Sequence, residues 1–294
     1  MSMKRFIPIF LLFLCLSGIS FAQNKEGSGS LCKQELSHKG IKYTYYLYRP
    51  ADLKPGAPLV VVFHGYGANK FPATLFGFNP IADKYGFAVC YPCGPQDFKG
   101  EHCWDVGYSF HKENNWKRDD VGFTIKLVKH LQKEYSLSKE NIFATGHSNG
   151  GEMCYLLAYK VPDKFAAVAP VSGLTMKWMY TTLKPSSPIP LFEIHGTDDV
   201  VSKWNGDPYN SDGWGEYLSV PCALSYWVAT NRCTYAAIEE LPQKRNKVIA
   251  HKYPAGINNN QVWLYEIIGG THAWPDKDLD AAEEIWKFFS LYLK

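Results

Sequence analysis

The sequence predicts an α/β fold with a mostly parallel central sheet covered by helices on both faces. Three observations carry this. Short β-prone runs alternate with segments of helical periodicity along most of the chain. The run at 59–64 (L-V-V-V-F-H) is apolar until its last residue, as a central strand buried on both faces must be. Four runs then end in polar residues, His64-Gly65-Tyr66, Ser148, Asp198-Asp199 and His272, and sheets of this kind bind ligands beyond the carboxyl ends of their strands.

The 294 residues are 46% hydrophobic and 15% aromatic, enough to bury the core of one large domain. A formal charge of +3 is spread thinly, with no basic run beyond Lys117-Arg118 or Lys244-Arg245, so nucleic acid binding has no support. At the N-terminus, Lys4 and Arg5 precede an apolar run over 6–19, and Ser20-Phe21-Ala22 offers a cleavage site before Gln23. Residues 1–22 therefore read as a signal peptide, and the protein as secreted or periplasmic. The run is short for a bilayer and broken by Pro8 and Gly18, and no later stretch approaches membrane length, so no stable membrane insertion is expected. Leu14 before Cys15 argues against lipidation.

Residues 23–40 read as a linker and the start of a first strand, and 41–294 as a single domain. Ile41–Arg49 alternates as an outer strand. After the buried strand at 59–64, a helix is expected near 73–85, interrupted by Gly77 and Pro80, and then a strand at 86–91. The stretch 92–118 has little periodicity yet holds two histidines and two tryptophans, as functional loops do. Asp119-Asp120 caps a helix with Val121, Ile125, Val128 and Leu131 on one face. Strands follow at 142–145, 165–171 and 190–195. An aromatic loop over 204–217 leads to a helix at 221–230, then late strands at 247–253 and 261–268 and a terminal helix at 279–293.

Removing Cys15 with the signal leaves seven of the eight cysteines. Cys93 and Cys103 flank a loop they could close, whereas a helix at 221–230 would hold Cys222 and Cys233 too far apart to bridge. Cys154 reads as a small buried hydrophobe. No metal site is expected: there is no H-E-x-x-H run, and the C-x-x-C of Cys90 and Cys93 lacks a second pair. No cofactor motif is present.

The chemistry centres on 142–155, I-F-A-T-G-H-S-N-G-G-E-M-C-Y. A strand runs into Gly146-His147-Ser148-Asn149-Gly150 and out into a helix, with Ser148 at the apex of a turn so tight that it needs glycine on both sides. A serine hydroxyl attacks only when a base takes its proton, and the base needs a carboxylate to orient it. Chain order Ser…Asp…His supplies both. Among nine histidines, His272 is favoured because it follows a strand in a Gly-rich loop. His251 falls inside a strand, His130 on a helix, and His102 and His111 in the irregular loop. His147 is expected to turn away from the serine and brace the elbow by a hydrogen bond. Spacing leaves Asp198 and Asp199 both open as the acid. Backbone N–H groups of Asn149 and Tyr66 are the candidate oxyanion donors.

Together, H-G-Y-G, W-D-V-G with D-D-V-G-F, A-T-G-H-S-N-G-G, H-G-T-D-D and G-G-T-H-A-W-P resemble the exported esterases of carbohydrate esterase family one, the feruloyl and acetylxylan esterases, with the related polyhydroxybutyrate depolymerases. The resemblance spans about residues 42–274. It implies an α/β-hydrolase fold with Ser148 as nucleophile, Asp199 as acid and His272 as base. Many relatives carry a cysteine where Ala255-Gly256 stands here, to pair with the equivalent of Cys233. The partners implied are feruloylated or acetylated plant polysaccharides. Trp104, Trp204, Tyr209 and Trp214 are the expected aromatic lining of a cleft for a planar acyl group or sugar rings. The loop at 204–217 resembles the feruloyl side of the family. Acetylxylan esterase, polyester depolymerase and a non-catalytic polysaccharide-binding protein are the alternatives.

Overall fold

The computed structural model describes residues 28–68 and 76–294. The expected signal peptide, the linker up to residue 27 and the first part of the helix expected at 73–85 lie outside the described residues. Ten strands form one sheet: β1 (Ser30–His38), β2 (Ile41–Arg49), β3 (Leu59–Phe63), β4 (Ala88–Cys93), β5 (Ile142–His147), β6 (Ala167–Val171), β7 (Leu191–Gly196), β8 (Ala237–Glu240), β9 (Val248–Tyr253) and β10 (Val262–Ile267), in the order β1-β2-β4-β3-β5-β6-β7-β10-β9-β8. The six inner strands from β4 to β10 run parallel. The pairs at both edges run antiparallel.

The apolar run of β3 has a direct physical cause. Leu59, Val61 and Phe63 enter one core, while Val60 and Val62 enter the other. Each fully buried side chain of this kind contributes about 1.5–3 kcal/mol. The first core is closed by α3 (Asp120–Glu134), α4 (Asn149–Lys160) and α6 (Val220–Thr230), through Phe123, Leu127, Met153, Leu157 and Trp227. The second is closed by α1 (Phe78–Tyr85) and α7 (Ala281–Ser290), through Phe78, Ile81, Ile285, Phe288 and Phe289. Two further short helices among the described residues are α2 (Ser109–Glu113) and α5 (Lys177–Thr182).

Where element ends differ from expectation, local chemistry explains it. Asp119 caps α3, its Oδ1 accepting the Gly122 N–H at 2.9 Å, a contact worth about 1 kcal/mol. Helix α1 starts only at Phe78, because Gly77 before it is left-handed at φ 67°, and Pro80 then fits the first turn. Strand β1 forms where a linker and strand start were expected. Its residues alternate between exposed and half-buried, so it carries no apolar stripe to read. All four residues of β8 are exposed, which hid that strand as well.

The seven described cysteines are free thiols, so the ring between Cys93 and Cys103 is not closed. Cys154 is buried, as expected. A Cβ at Gly256 would lie 3.1 Å from Cys233 Sγ but 2.6 Å from the carbonyl oxygens of Asn231 and Asn260. That position adjoins Cys233 without room for a side chain.

Candidate active site

The turn after β5 holds Ser148 at φ 56°, ψ −122°, a backbone conformation that L-residues rarely adopt and that surrounding structure must enforce. The enforcement is steric. A Cβ at Gly150 would lie 2.2 Å from Phe63 O, and one at Gly146 would lie 2.6 Å from the same atom. The elbow therefore packs directly on the end of β3. Ser148 N–H donates to Val171 O at 2.9 Å, tying the turn to β6 as well.

The loops that carry Asp199 and His272 are sewn together at the next strand ends. Thr197 N–H donates to Ile267 O at 2.9 Å and Asp198 N–H to Gly270 O at 2.9 Å. A Cβ at Gly196 would lie 2.2 Å from Gly270 O, so only glycine permits this approach. His272 Nδ1 then lies 2.8 Å from Asp199 Oδ2, with the Asp199 side chain fully buried. Asp199 Oδ1 accepts Val201 N–H at 2.9 Å and Ser202 N–H at 2.8 Å. Burial pushes this carboxyl up, but the His272 hydrogen bond, the nearby imidazoles of His272 and His195, and the Ser202 N–H together hold it below the usual range. Asp198 is exposed and its carboxylate accepts the Thr197 hydroxyl at 3.3 Å, so of the two aspartates left open by spacing, Asp199 is the one that reaches the imidazole.

His147 departs from expectation. Its Nε2 is buried with no hydrogen-bond partner among the described residues, so none of these ties the elbow through that atom. Its ring instead lies 4.9 Å from that of His272, which puts the His272 imidazole against the elbow. Burial first, and the charge of His272 second, push His147 down to about 3, leaving it neutral.

On the other side of Ser148 runs the Gly65-Tyr66 loop. A Cβ at Gly65 would lie 3.3 Å from Ser148 Cβ. The Tyr66 N–H meets no acceptor among the described residues, and the Asn149 N–H, at the first position of α4, has no intrahelical acceptor. His64 braces this loop. Its Nδ1–H donates to Gly65 O at 2.7 Å, its Nε2 accepts Gly94 N–H at 2.8 Å, and burial pushes it down to about 4. Tyr66 Oη donates to Asp97 Oδ2 at 2.8 Å, and His111 Nε2 meets the same oxygen at 3.0 Å. Asp97, Cys103 and His111 bring potential metal-ligating atoms within 4.8 Å of one another. Yet Asp97 Oδ1 also takes the N–H groups of Lys99 and Glu101, and the Arg118 guanidinium lies 3.9 Å from Cys103 Sγ. These groups form a hydrogen-bonded brace for the Tyr66 side chain.

Beneath the elbow, Asn149 Oδ1 accepts Trp104 N–H at 2.7 Å, and its Nδ2 donates to Trp104 O at 3.2 Å, Tyr108 Oη at 3.0 Å and Glu152 Oε2 at 3.3 Å. Tyr108 also donates to Glu152. Burial pushes Glu152 up to about 7. Nothing in the spacing of the sequence singles out Glu152, Asp97 or His64 for these positions. A charged or polar residue inside an otherwise apolar helical face, as Glu152 is on α4, was the available signal.

The expected aromatic lining divides. Trp104 is fully buried, its Nε1 donating to His64 O at 3.0 Å and its ring edge-on to Phe63, so it supports the loop from below and does not line a cleft. Trp204 is half-buried with its ring 6.1 Å from His195. Trp214 packs 5.4 Å from Tyr66 and 5.0 Å from Tyr108, forming a wall beside the Tyr66 loop. Tyr209 is 89% exposed, at the rim of a cavity of about 340 Å³ also lined by Lys112, Trp178, Asn210 and Glu216.

A parallel sheet of this order, with a strained serine turn after β5 and an Asp–His pair after β7 and β10, defines an α/β-hydrolase. Residues 41–185 match the family model for Esterase PHB depolymerase. It is 28% identical over 164 residues to a bifunctional acetylxylan esterase/xylanase, XynS20E, of Neocallimastix patriciarum, a match covering 55% of this chain and 22% of that protein. It is also 28% identical over 136 residues to feruloyl esterase B of Talaromyces funiculosus, covering 46% of this chain and 37% of that protein. The chain thus spans well under half the length of these curated relatives. An acetyl xylan esterase from Aspergillus awamori superposes with a TM-score of 0.60 at 18% identity, over 89% of this chain and 99% of that one, a likeness of fold.

Proposed function

We propose that this protein is an exported serine carboxylesterase that removes feruloyl groups from plant cell-wall polysaccharide such as xylan. The observation that carries the proposal is the convergence at one sheet edge of a strained serine turn and a buried Asp199 paired with the partly exposed His272. Ser148 Oγ attacks the ester carbonyl while His272 takes its proton. The tetrahedral oxyanion is met by the N–H groups of Asn149 and Tyr66, each donor worth about 3 kcal/mol in such sites. His272 returns the proton to the departing sugar hydroxyl, leaving an acyl-serine. Water, deprotonated by the same imidazole, then releases the acid and restores the hydroxyl. Asp199 holds the Nδ1–H tautomer and stabilises the imidazolium formed in each half.

The feruloyl preference rests on the half-buried rings of Trp214, Tyr66 and Phe110, backed by the buried Tyr108, an aromatic wall that suits a planar phenolic acyl group. The similarity to an acetylxylan esterase/xylanase favours acetyl removal as the second reading. Export rests on the N-terminal sequence pattern. Among the described residues no helix is long and apolar enough to cross a membrane.

Assaying methyl ferulate, acetylated xylan and 3-hydroxybutyrate oligomers side by side tests the assignment. The feruloyl reading predicts the highest kcat/KM on methyl ferulate. Turnover of acetylated xylan alone would transfer the assignment to acetyl removal, and turnover of the oligomers alone to a polyester depolymerase. Inactivity on every ester, with polysaccharide binding retained, would favour a non-catalytic binding protein. N-terminal sequencing of the protein recovered outside the cytoplasm should begin at Gln23.

A further inference from the structure

Behind Asp199 lies a second buried charged group that the reaction scheme above does not use. Glu193 and His195 stand two apart on β7 and so share one face of the sheet. Both are buried, with side-chain exposures of 1% and 0%. His195 Nδ1 lies 2.7 Å from Glu193 Oε1, and His195 Nε2 lies 2.7 Å from Ser202 O. Its Nε2 is also 3.6 Å from Asp199 Oδ2, the oxygen that faces His272. Both ring nitrogens therefore face acceptors.

The remaining contacts of Glu193 place the proton. Its Oε2 accepts the Tyr155 hydroxyl at 3.0 Å and its Oε1 the Gly173 N–H at 3.3 Å, so donors surround it on every side. A carbonyl oxygen such as that of Ser202 can only accept, which requires a proton on His195 Nε2. A carboxylate at Glu193 and another at Asp199 favour a second proton, on Nδ1. From these contacts we propose that His195 is a positioning residue of the esterase: a buried imidazolium, anchored by Glu193, that holds Asp199 in place and offsets part of the negative charge His272 feels.

The inference rests on the esterase reading and adds to it. The Asp199 carboxylate lies 2.8 Å from His272 Nδ1 and by itself draws positive charge onto the imidazole, which must be neutral to act as a base. A cation 3.6 Å behind the carboxylate moderates that effect. Other titratable groups around His195 are Tyr155 and Cys154 on α4, which face Glu193, and His147 on β5 together with His272. His147 is held neutral by burial, so the opposing charges are those of Glu193 and Asp199.

Replacing His195 alone would strand the buried Glu193 charge and endanger folding, so the test uses the paired variant Glu193→Gln/His195→Gln. Thermal unfolding confirms that it folds, and kcat/KM for methyl ferulate is followed from pH 4 to 9. Loss of the nearer charge, the cation, should move the acid limb of the profile upward by about half a unit or more. A folded variant whose acid limb coincides with that of the wild type overturns the inference. Nitrogen-15 NMR of the wild-type imidazoles tests it without activity. Both ring nitrogens of His195 should carry protons at pH 7, and a neutral ring would also overturn it. A wild type that hydrolyses no ester would count against the esterase reading, while the NMR result would still decide the state of His195.

Discussion

Asp199 turns both of its carboxylate oxygens to work: Oδ2 meets His272 Nδ1 at 2.8 Å, and Oδ1 takes the Val201 and Ser202 N–H groups at 2.9 and 2.8 Å. The backbone thus fixes the direction in which the carboxylate holds the imidazole. Asp198, one residue earlier, is exposed. Asp199→Asn should lower kcat by about 10³–10⁴-fold, because an amide no longer enforces the Nδ1–H tautomer. Asp198→Asn should stay within about threefold of wild type. Steady-state kinetics on methyl ferulate compares them, and the reverse ranking would reassign the acid.

The Tyr66 loop is held from its side chain by the 2.8 Å bond to Asp97. Removing that hydroxyl in Tyr66→Phe leaves the backbone N–H in place but loosens its aim. A net hydrogen bond of about 1 kcal/mol corresponds to a kcat loss of roughly fivefold, with KM little changed. An effect confined to KM would speak against the loop as an oxyanion donor.

Glu152 carries a pH signature. Its folded-state value of about 7 lies above the ordinary 4.5, with burial the main cause. A raised acid contributes its full stability below the unfolded value and loses it as pH rises through the folded one. Wild type should therefore weaken relative to Glu152→Gln between pH 4.5 and 7, by about 3 kcal/mol in all. Urea unfolding of both proteins at several pH values measures the difference. A constant gap across that range would mean Glu152 titrates normally.

Trp214 stands against Tyr66 and Tyr108 at 5.4 and 5.0 Å. If its face receives the phenolic ring, Trp214→Ala should raise KM for methyl ferulate by roughly 3–10-fold, the range of one aromatic contact. The same variant should leave a small acetyl ester nearly unaffected. Equal losses on both esters would make the wall structural only.

Much of this site was legible in the sequence because the fold delivers its chemistry at strand ends. Glycines mark the tight turns there, and those at 146, 150 and 196 stand where a Cβ would collide with backbone. The buried parallel strands read clearly because both faces are apolar. What could not be read lacks a local signature. Strands β1 and β8 have no apolar face. Trp104 looks the same in sequence whether it lines a cleft or, as here, lies fully buried beneath His64. The choice between Asp198 and Asp199 turns on which way a loop closes, and Glu152, Asp97 and His195 find their partners through tertiary contacts 14 or more residues away or through neighbours that spacing does not distinguish.

The proposed reaction begins at Ser148 as nucleophile. The most direct test of that role is intact-protein mass spectrometry, with peptide mapping, after exposure to a fluorophosphonate probe. A single adduct on Ser148 is expected in the wild type and none in Ser148→Ala. A wild type that remains unlabelled, or an adduct that persists in Ser148→Ala, would contradict it.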